Sequence, residues 1–260
     1  MSRIPRYASL SWDLAAFANV RNINSADHLG SSPPRPFSFR YARYWFMYNY
    51  LMELFARKGR PLEVCEVGVH KGQMLAFMGG TPNGDTLDRP QAVAGWTAVD
   101  INIDERKLRR YGYTDMKRRD LEEPWDLEPE RYDAIVFLHV LEHLLEPERV
   151  MGEALRSLRP GGVMIGGSPT MPDWLVGRQE KRLRANAGAF EHVSVLSPAR
   201  LRRVARQLDL ELDHMTGAFA VRMSGSAVEN NALWLRANLG FGATLPSLGS
   251  EVYFMMSRKS

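Results

Sequence analysis

Cysteine is almost absent from this chain: Cys65 is the only one and lies in an apolar run, so no internal disulfide can form. A lone thiol in that setting reads as a small buried residue, and a reducing, cytoplasmic compartment is expected. Long apolar runs are missing too, none approaching the roughly 18–20 residues of a membrane-spanning helix. The segment around Trp12, Asp13 and Leu14 lacks the basic-then-apolar order of a secretion signal. Repeats and low-complexity tracts are lacking. A dominant charge is lacking as well: 34 Lys and Arg stand against 30 Asp and Glu, for a net charge of +4. The basic clusters at Arg106 to Arg110, Lys117 to Arg119, Arg178 to Arg184 and Arg200 to Arg206 fall on helix faces or loops that read as solvated surface. That favours a small, even anionic, substrate over nucleic acid.

What is present is enough for a full core, since 260 residues with 45% hydrophobic content suit one large α/β domain or a domain plus a cap. Residues 1 to 38 end in the turn-rich Gly30-Ser-Ser-Pro-Pro-Arg-Pro36 and read as an entry arm. A helix follows from Arg40 to Lys58, with Met47, Tyr50, Leu51, Leu54 and Phe55 on one face and Gly59 as its stop. A second stripe, Tyr41, Tyr44, Trp45, Tyr48 and Met52, needs its own cover: more core, a homodimer contact through this helix, or a substrate wall.

Strand-like and helix-like segments then alternate. Strands are expected at Leu62 to Val67, Gly95 to Asp100, Tyr113 to Arg118, Asp133 to Leu138 and Gly162 to Gly166, with helices at Lys71 to Met78, Ile103 to Tyr111 and Pro147 to Leu158 between them. Apolar strands interleaved with helices predict a parallel sheet covered on both faces. A helix capped by Ser197 buries Leu201, Val204, Ala205 and Leu208, and two last strands follow at Leu210 to Met215 and Glu251 to Ser257. Between them a helix is expected over Ala227 to Leu239. The Gly79 to Ala94 stretch reads as an inserted loop.

Ligands of open parallel sheets bind outside the carboxyl ends of the strands. Those ends carry Glu66-Val-Gly68, Asp100, Asp120 and Leu138-His139. Three carboxylates at successive ends suit a nucleoside with hydroxyls and an amine to hold, and suit a pyrophosphate poorly. The dinucleotide fingerprint G-x-G-x-x-G is lacking, because Val69, His70 and Lys71 separate Gly68 from Gly72.

In these residues the chain resembles the class I S-adenosylmethionine-dependent methyltransferases, particularly small-molecule members. Glu66-Val-Gly-Val-His-Lys-Gly72 is similar to their first motif and Ala98-Val-Asp100 to their ribose-binding motif. Asp120-Leu121 resembles the adenine-flanking pair, and Tyr132-Asp-Ala-Ile-Val-Phe-Leu-His-Val-Leu-Glu-His-Leu144 the fourth-strand motif. Arg159-Pro-Gly-Gly-Val163 resembles the turn into the fifth strand, and His192-Val-Ser-Val-Leu-Ser-Pro-Ala199 the segment before the next helix. The resemblance spans about residues 60 to 215.

It implies a Rossmann-like, doubly wound, mostly parallel seven-stranded sheet with an antiparallel last strand and an N-terminal helical arm. Residues 1–59 would form the arm and helix, a cap or a substrate or oligomer contact. Residues 60–260 would form the cofactor domain, with insertions at 79–94, 171–192 and 218–250. S-adenosylmethionine would lie on Gly68, Val69, His70 and Gly72, with Glu66 toward the methionine amino end and Asp100, beside Ile101, holding the ribose hydroxyls. Asp120 and Leu121 would flank adenine, and Leu138 and His139 the sulfonium. His70 departs from the family pattern, standing where glycine is usual.

The reaction then needs an aligned nucleophile and, for an oxygen of high pKa, a general base, for which histidine is suited. Of His70, His139, His143 and His192, the resemblance favours His143 first and His192 second. Tyr44, Tyr48 and Trp174 are substrate candidates. No metal site is expected, the spacing of His139, Glu142 and His143 being poor for one ion. The expected activity is O-methylation of a small molecule such as a sugar or secondary metabolite. The alternatives are an RNA methyltransferase, a nicotinamide-dependent oxidoreductase and a noncatalytic nucleoside-binding module.

Overall fold

The computed structural model describes residues 39–69, 72–77, 92–124, 126–188, 191–220 and 231–259. The expected entry arm, His70 and nearly all of the expected 79–94 loop lie outside them. In chain order the elements are α1 (Phe39–Lys58), β1 (Leu62–Val67), α2 (Gln73–Phe77), β2 (Val93–Asp100), α3 (Glu105–Arg110), β3 (Asp115–Arg118) and β4 (Tyr132–Leu138). A 3-10 turn (Leu141–His143) leads to α4 (Pro147–Leu155), β5 (Leu158–Pro169), α5 (Asp173–Asn186), α6 (Pro198–Gln207) and β6 (Leu210–Ala218). Last come α7 (Ala232–Thr244), a second 3-10 turn (Pro246–Leu248) and β7 (Glu251–Arg258).

The sheet runs β3-β2-β1-β4-β5-β7-β6. β1 pairs in parallel with both β2 and β4, while β7 runs antiparallel between β5 and β6. Strand order therefore reverses between β1 and β4, which opens a crevice at their carboxyl ends. Alternation along each strand feeds two cores: Val64, Ala98, Val136 and Ile165 pack with α1, and Cys65, Val67, Ile135 and Met164 pack with α4 and α6. Cys65 is fully buried, and that burial pushes its thiol pKa up, so it stays protonated and inert.

α1 shares the first core. Its expected core face is covered, with Met47, Tyr50, Leu51 and Leu54 at 0% exposure, each contributing about 1.5–3 kcal/mol by burial. On its second stripe, Tyr44 and Trp45 are also buried within the chain, and Tyr48 and Met52 are partly buried against the same core. Tyr44 and Trp45 are thus covered without a second copy, whereas the Tyr41 side chain lies outside the described residues. Phe46 stacks on Tyr253 with ring centroids 4.4 Å apart, tying α1 to β7.

Three elements differ from the sequence expectation. The helix expected to reach Leu158 stops at Leu155, and Leu158 instead opens β5 opposite Tyr132. The chain then loops out through Arg159 to Gly162 before Val163 pairs with Ala134, so Pro160-Gly161 marks a bulge in the strand and not the helix stop. α5 was not expected at all, because it has no buried residue and so no apolar period to read. α7 begins at Ala232, where the Asn231 side chain accepts from Leu233 and Trp234 N–H at 2.9 and 3.1 Å, and it continues past Leu239. Gly242 lies inside it, where a Cβ would come within 2.4 Å of the Gly217 backbone; the glycine lets the helix touch β6.

Candidate active site

The chain leaves β1 through Gly68, which has φ +73°, and the Gly68 N–H donates to the Val99 carbonyl at 2.8 Å. A Cβ there would meet Val140 Cγ2 at 2.6 Å, so only glycine lets the first loop close against the turn after β4. Gly72 also sits at φ +73°, where a Cβ would come within 3.0 Å of the Leu108 and Tyr111 side chains. These glycines bracket the buried Val69 and the undescribed His70. Just beyond, the Tyr44 hydroxyl donates to Gln73 Oε1 at 2.9 Å, joining α1 to the start of α2.

Glu66 is buried below this loop, and its Oε2 accepts from Trp96 Nε1 at 2.8 Å and from the Tyr113 hydroxyl at 2.7 Å. Burial pushes its carboxyl up and the two hydrogen bonds offset only part of this, leaving a pKa of about 7. At the neighbouring strand ends, half-buried Asp100 accepts from Asn102 N–H at 2.9 Å beside exposed Ile101, and exposed Asp120 accepts from Glu122 N–H at 2.9 Å. Leu121 and Leu138 are partly buried.

A denser polar cluster occupies the far wall. His139 follows β4 at φ +56°, a left-handed conformation that costs a β-substituted residue about 1 kcal/mol, and its N–H is held by the Gly167 carbonyl at 2.8 Å. Its Nδ1 lies 3.2 Å from Glu142 Oε1 and its Nε2 3.8 Å from Glu251 Oε1. Glu251 is paired in turn with Arg43 of α1 at 3.2 Å and accepts from the Tyr253 hydroxyl. Glu142 is 1% exposed and accepts from Ser168 Oγ at 2.9 Å. Burial would raise its carboxyl, but His139 and His143 outweigh this and hold it below the usual carboxylate range.

His143 closes the 3-10 turn, and His192 is brought to it by the backbone. Val193 and Ser194 N–H donate to the Glu142 carbonyl at 2.8 and 3.1 Å, and Ser194 Oγ donates to the Leu141 carbonyl at 3.0 Å. The two imidazoles meet edge to face, ring centroids 4.8 Å apart. Glu142, His143 and His192 each bring one ligand-type atom within 4.8 Å of the others.

A family model described as a methyltransferase domain matches residues 39–215, more than half of the chain. The chain belongs to the methyltransferase-domain family. It is a class I S-adenosylmethionine-dependent methyltransferase. Solved structures share the fold at low identity. An S-adenosylmethionine-dependent methyltransferase from Mesorhizobium loti aligns with TM-score 0.52 at 12% identity, over 82% of this chain and 97% of its own. The carbon methyltransferase CurJ gives 0.55 at 14%, over 98% of this chain and 62% of its own. A Burkholderia thailandensis 1,6-didemethyltoxoflavin-N1-methyltransferase, solved with S-adenosylhomocysteine, gives 0.50 at 14%, over 81% and 76%. Curated proteins gave no match.

In this methyltransferase the expected cofactor residues other than His70 gather at the carboxyl edge of β1 to β4, and His143 and His192 adjoin. Trp174 stands apart from them in one respect: it is 73% exposed on α5, whereas Tyr44 is buried with its hydroxyl engaged by Gln73. Arg43, Ser168 and Glu251 were missed. Ser168 lies near the end of β5, where strand-end reasoning applies. Glu251 is the first residue of the antiparallel β7, whose start falls on the same edge as the other strands' ends, so the expected antiparallel strand carried that signal. Among the described residues no helix is long and apolar enough to cross a membrane.

Proposed function

We propose that this methyltransferase alkylates an oxygen of a small-molecule acceptor, such as a sugar or secondary metabolite, with His143 and His192 managing the acceptor's proton. When bound, S-adenosylmethionine supplies a methyl group already activated on a sulfonium. In this reading Gly68, Val69, His70 and Gly72 lie against it, with Glu66 toward its methionine end. Asp100 and Ile101 take the ribose, Asp120 and Leu121 the adenine, and Leu138 and His139 the sulfur. A half-buried carboxylate next to a tight glycine turn fits such a ligand. Tyr44, Tyr48 and Trp174 remain substrate candidates, Tyr44 by holding the loop through Gln73. The cytoplasm remains the proposed compartment.

The supporting observation is the histidine pair beside the end of β4. The fold does not choose the acceptor atom, since the neighbours above include a carbon methyltransferase and an N1-methyltransferase. An imidazole titrates near neutral pH, and an oxygen nucleophile of high pKa needs such a group, whereas a neutral amine does not. The test is a screen of hydroxylated sugars, phenols, amines and a structured RNA, reading S-adenosylhomocysteine release and the mass of the product. Methylated hydroxyls support the reading. Turnover confined to amines or to RNA contradicts it.

A further inference from the structure

We propose that Glu142, His143 and His192 form a binding site for one divalent transition-metal ion of the zinc or manganese class. The use of that ion, though not its binding, rests on the O-methylation reading above. Its open coordination position would take the acceptor's hydroxyl oxygen.

Four observations carry this. The candidate ligand atoms, one per residue, lie within 4.8 Å of one another, and ligands about 2.0–2.2 Å from a common ion stand about 3–4 Å apart. His192 is exposed, so a ring movement of about an ångström completes the set at little steric cost. Two atoms of the cluster, Glu142 Oε1 and His143 Nδ1, are buried with no well-formed hydrogen bond among the described residues, and the nearest charged neighbour of that carboxylate oxygen is His139 Nδ1 at 3.2 Å. Buried polar atoms in that state cost about 1–3 kcal/mol each, and a cation on the carboxylate removes part of this. The surroundings also hold the ligands in place. Ser168 Oγ binds the other carboxylate oxygen, and the Val193 and Ser194 amides lock the two strands of chain that carry the histidines.

The donor set names the ion class. Two imidazoles and one carboxylate suit zinc, manganese, cobalt or iron, whereas magnesium and calcium prefer oxygen alone. Three protein ligands leave a position open. An acceptor hydroxyl bound there has its pKa lowered and loses its proton to water. Its oxygen then forms the bond to the methyl carbon, while sulfur keeps the electron pair of the broken S–C bond. The histidines would thus act on the acceptor proton through the ion instead of taking it directly.

The test uses the full chain, freed of any polyhistidine tag and dialysed against a chelator, then titrated with zinc, manganese and magnesium by calorimetry and metal analysis. The expected result is one equivalent of zinc or manganese per chain, bound at least tenfold more weakly by His192→Ala and His143→Ala, with magnesium weaker than either. No stoichiometric ion on the wild type, equal binding by both variants, or a preference for magnesium overturns the proposal. S-adenosylhomocysteine titration of the same chelated samples reports on folding and on the cofactor site separately. Intact nucleoside binding with no metal therefore sinks the ion alone.

Discussion

His143 and His192 are distant in sequence yet meet edge to face with ring centroids 4.8 Å apart, because two backbone amides after His192 donate to the carbonyl just before His143. The contact is a consequence of main-chain pinning. Side-chain replacement at either histidine should therefore leave the local fold in place.

Replacing His143 or His192 by alanine should lower turnover by about two to four powers of ten, as expected for loss of proton management in the transition state. Cofactor affinity should stay within about twofold. Initial rates and S-adenosylhomocysteine titrations of each variant check this. Equal loss of cofactor binding in both variants would remove them from the transfer step.

Glu66 makes a pH prediction. Its folded pKa of about 7 lies above the ordinary carboxylate value of 4.5, so the folded chain binds the extra proton between the two. Stability from this group therefore falls as pH rises from about 4.5 to 7 and stays low above that. Glu66→Gln keeps an oxygen for the Trp96 and Tyr113 donors without the charge. Its melting temperature should gain on the wild type between pH 5 and pH 8. A constant difference across that range would show that Glu66 does not titrate there.

Gly68→Ala should cost about 2 kcal/mol or more, since the residue must hold φ +73° and its Cβ would lie 2.6 Å from Val140. Cofactor affinity should fall with it, because the loop and the turn after β4 share this contact. Denaturant melts with parallel ligand titrations measure both, and a variant as stable as wild type refutes the packing described.

Asp133 lies at the opposite edge of the sheet, away from the site. Its buried carboxylate accepts from Arg60 at 2.7 and 2.9 Å, from Arg159 at 2.9 Å and from Glu63 N–H at 3.0 Å. Burial would raise its pKa, but the hydrogen bond from Arg60, the Glu63 amide and the charge of Arg159 outweigh this and lower it. The group thus stabilises the fold above the usual carboxylate range, and the benefit is lost as pH falls through its lowered value. Asp133→Ala should cost about 2 kcal/mol at neutral pH, less than the 3–5 of a fully buried pair because Arg60 is nearly half exposed. Nucleoside binding should not change in urea-free buffer.

The sheet was readable because its central strands β1 and β4 are buried on both faces and its helices α4 and α6 bury an i, i+3, i+4 stripe; Leu201, Val204 and Ala205 lie where the period put them. α5 was unreadable for the opposite reason, a helix with no buried side chain leaving no pattern. Strand-end logic located Asp100, Asp120 and His139 because parallel strands share one edge. It missed Arg43, on a helix that runs back to that edge, and treated Glu142 apart from His192, since proximity made by a loop returning from another helix has no local sequence signature. Gly68 was legible as a glycine but not for its reason, which is Val140.

The most direct measurement is calorimetric titration of the wild type and Asp100→Ala with S-adenosylhomocysteine, with NADH as control. The wild type should bind one equivalent, Asp100→Ala should lose about 1.5–3 kcal/mol of that affinity, a tenfold change or more, and NADH should not bind. Absence of S-adenosylhomocysteine binding by the wild type, or affinity unchanged in Asp100→Ala, would contradict the cofactor site described.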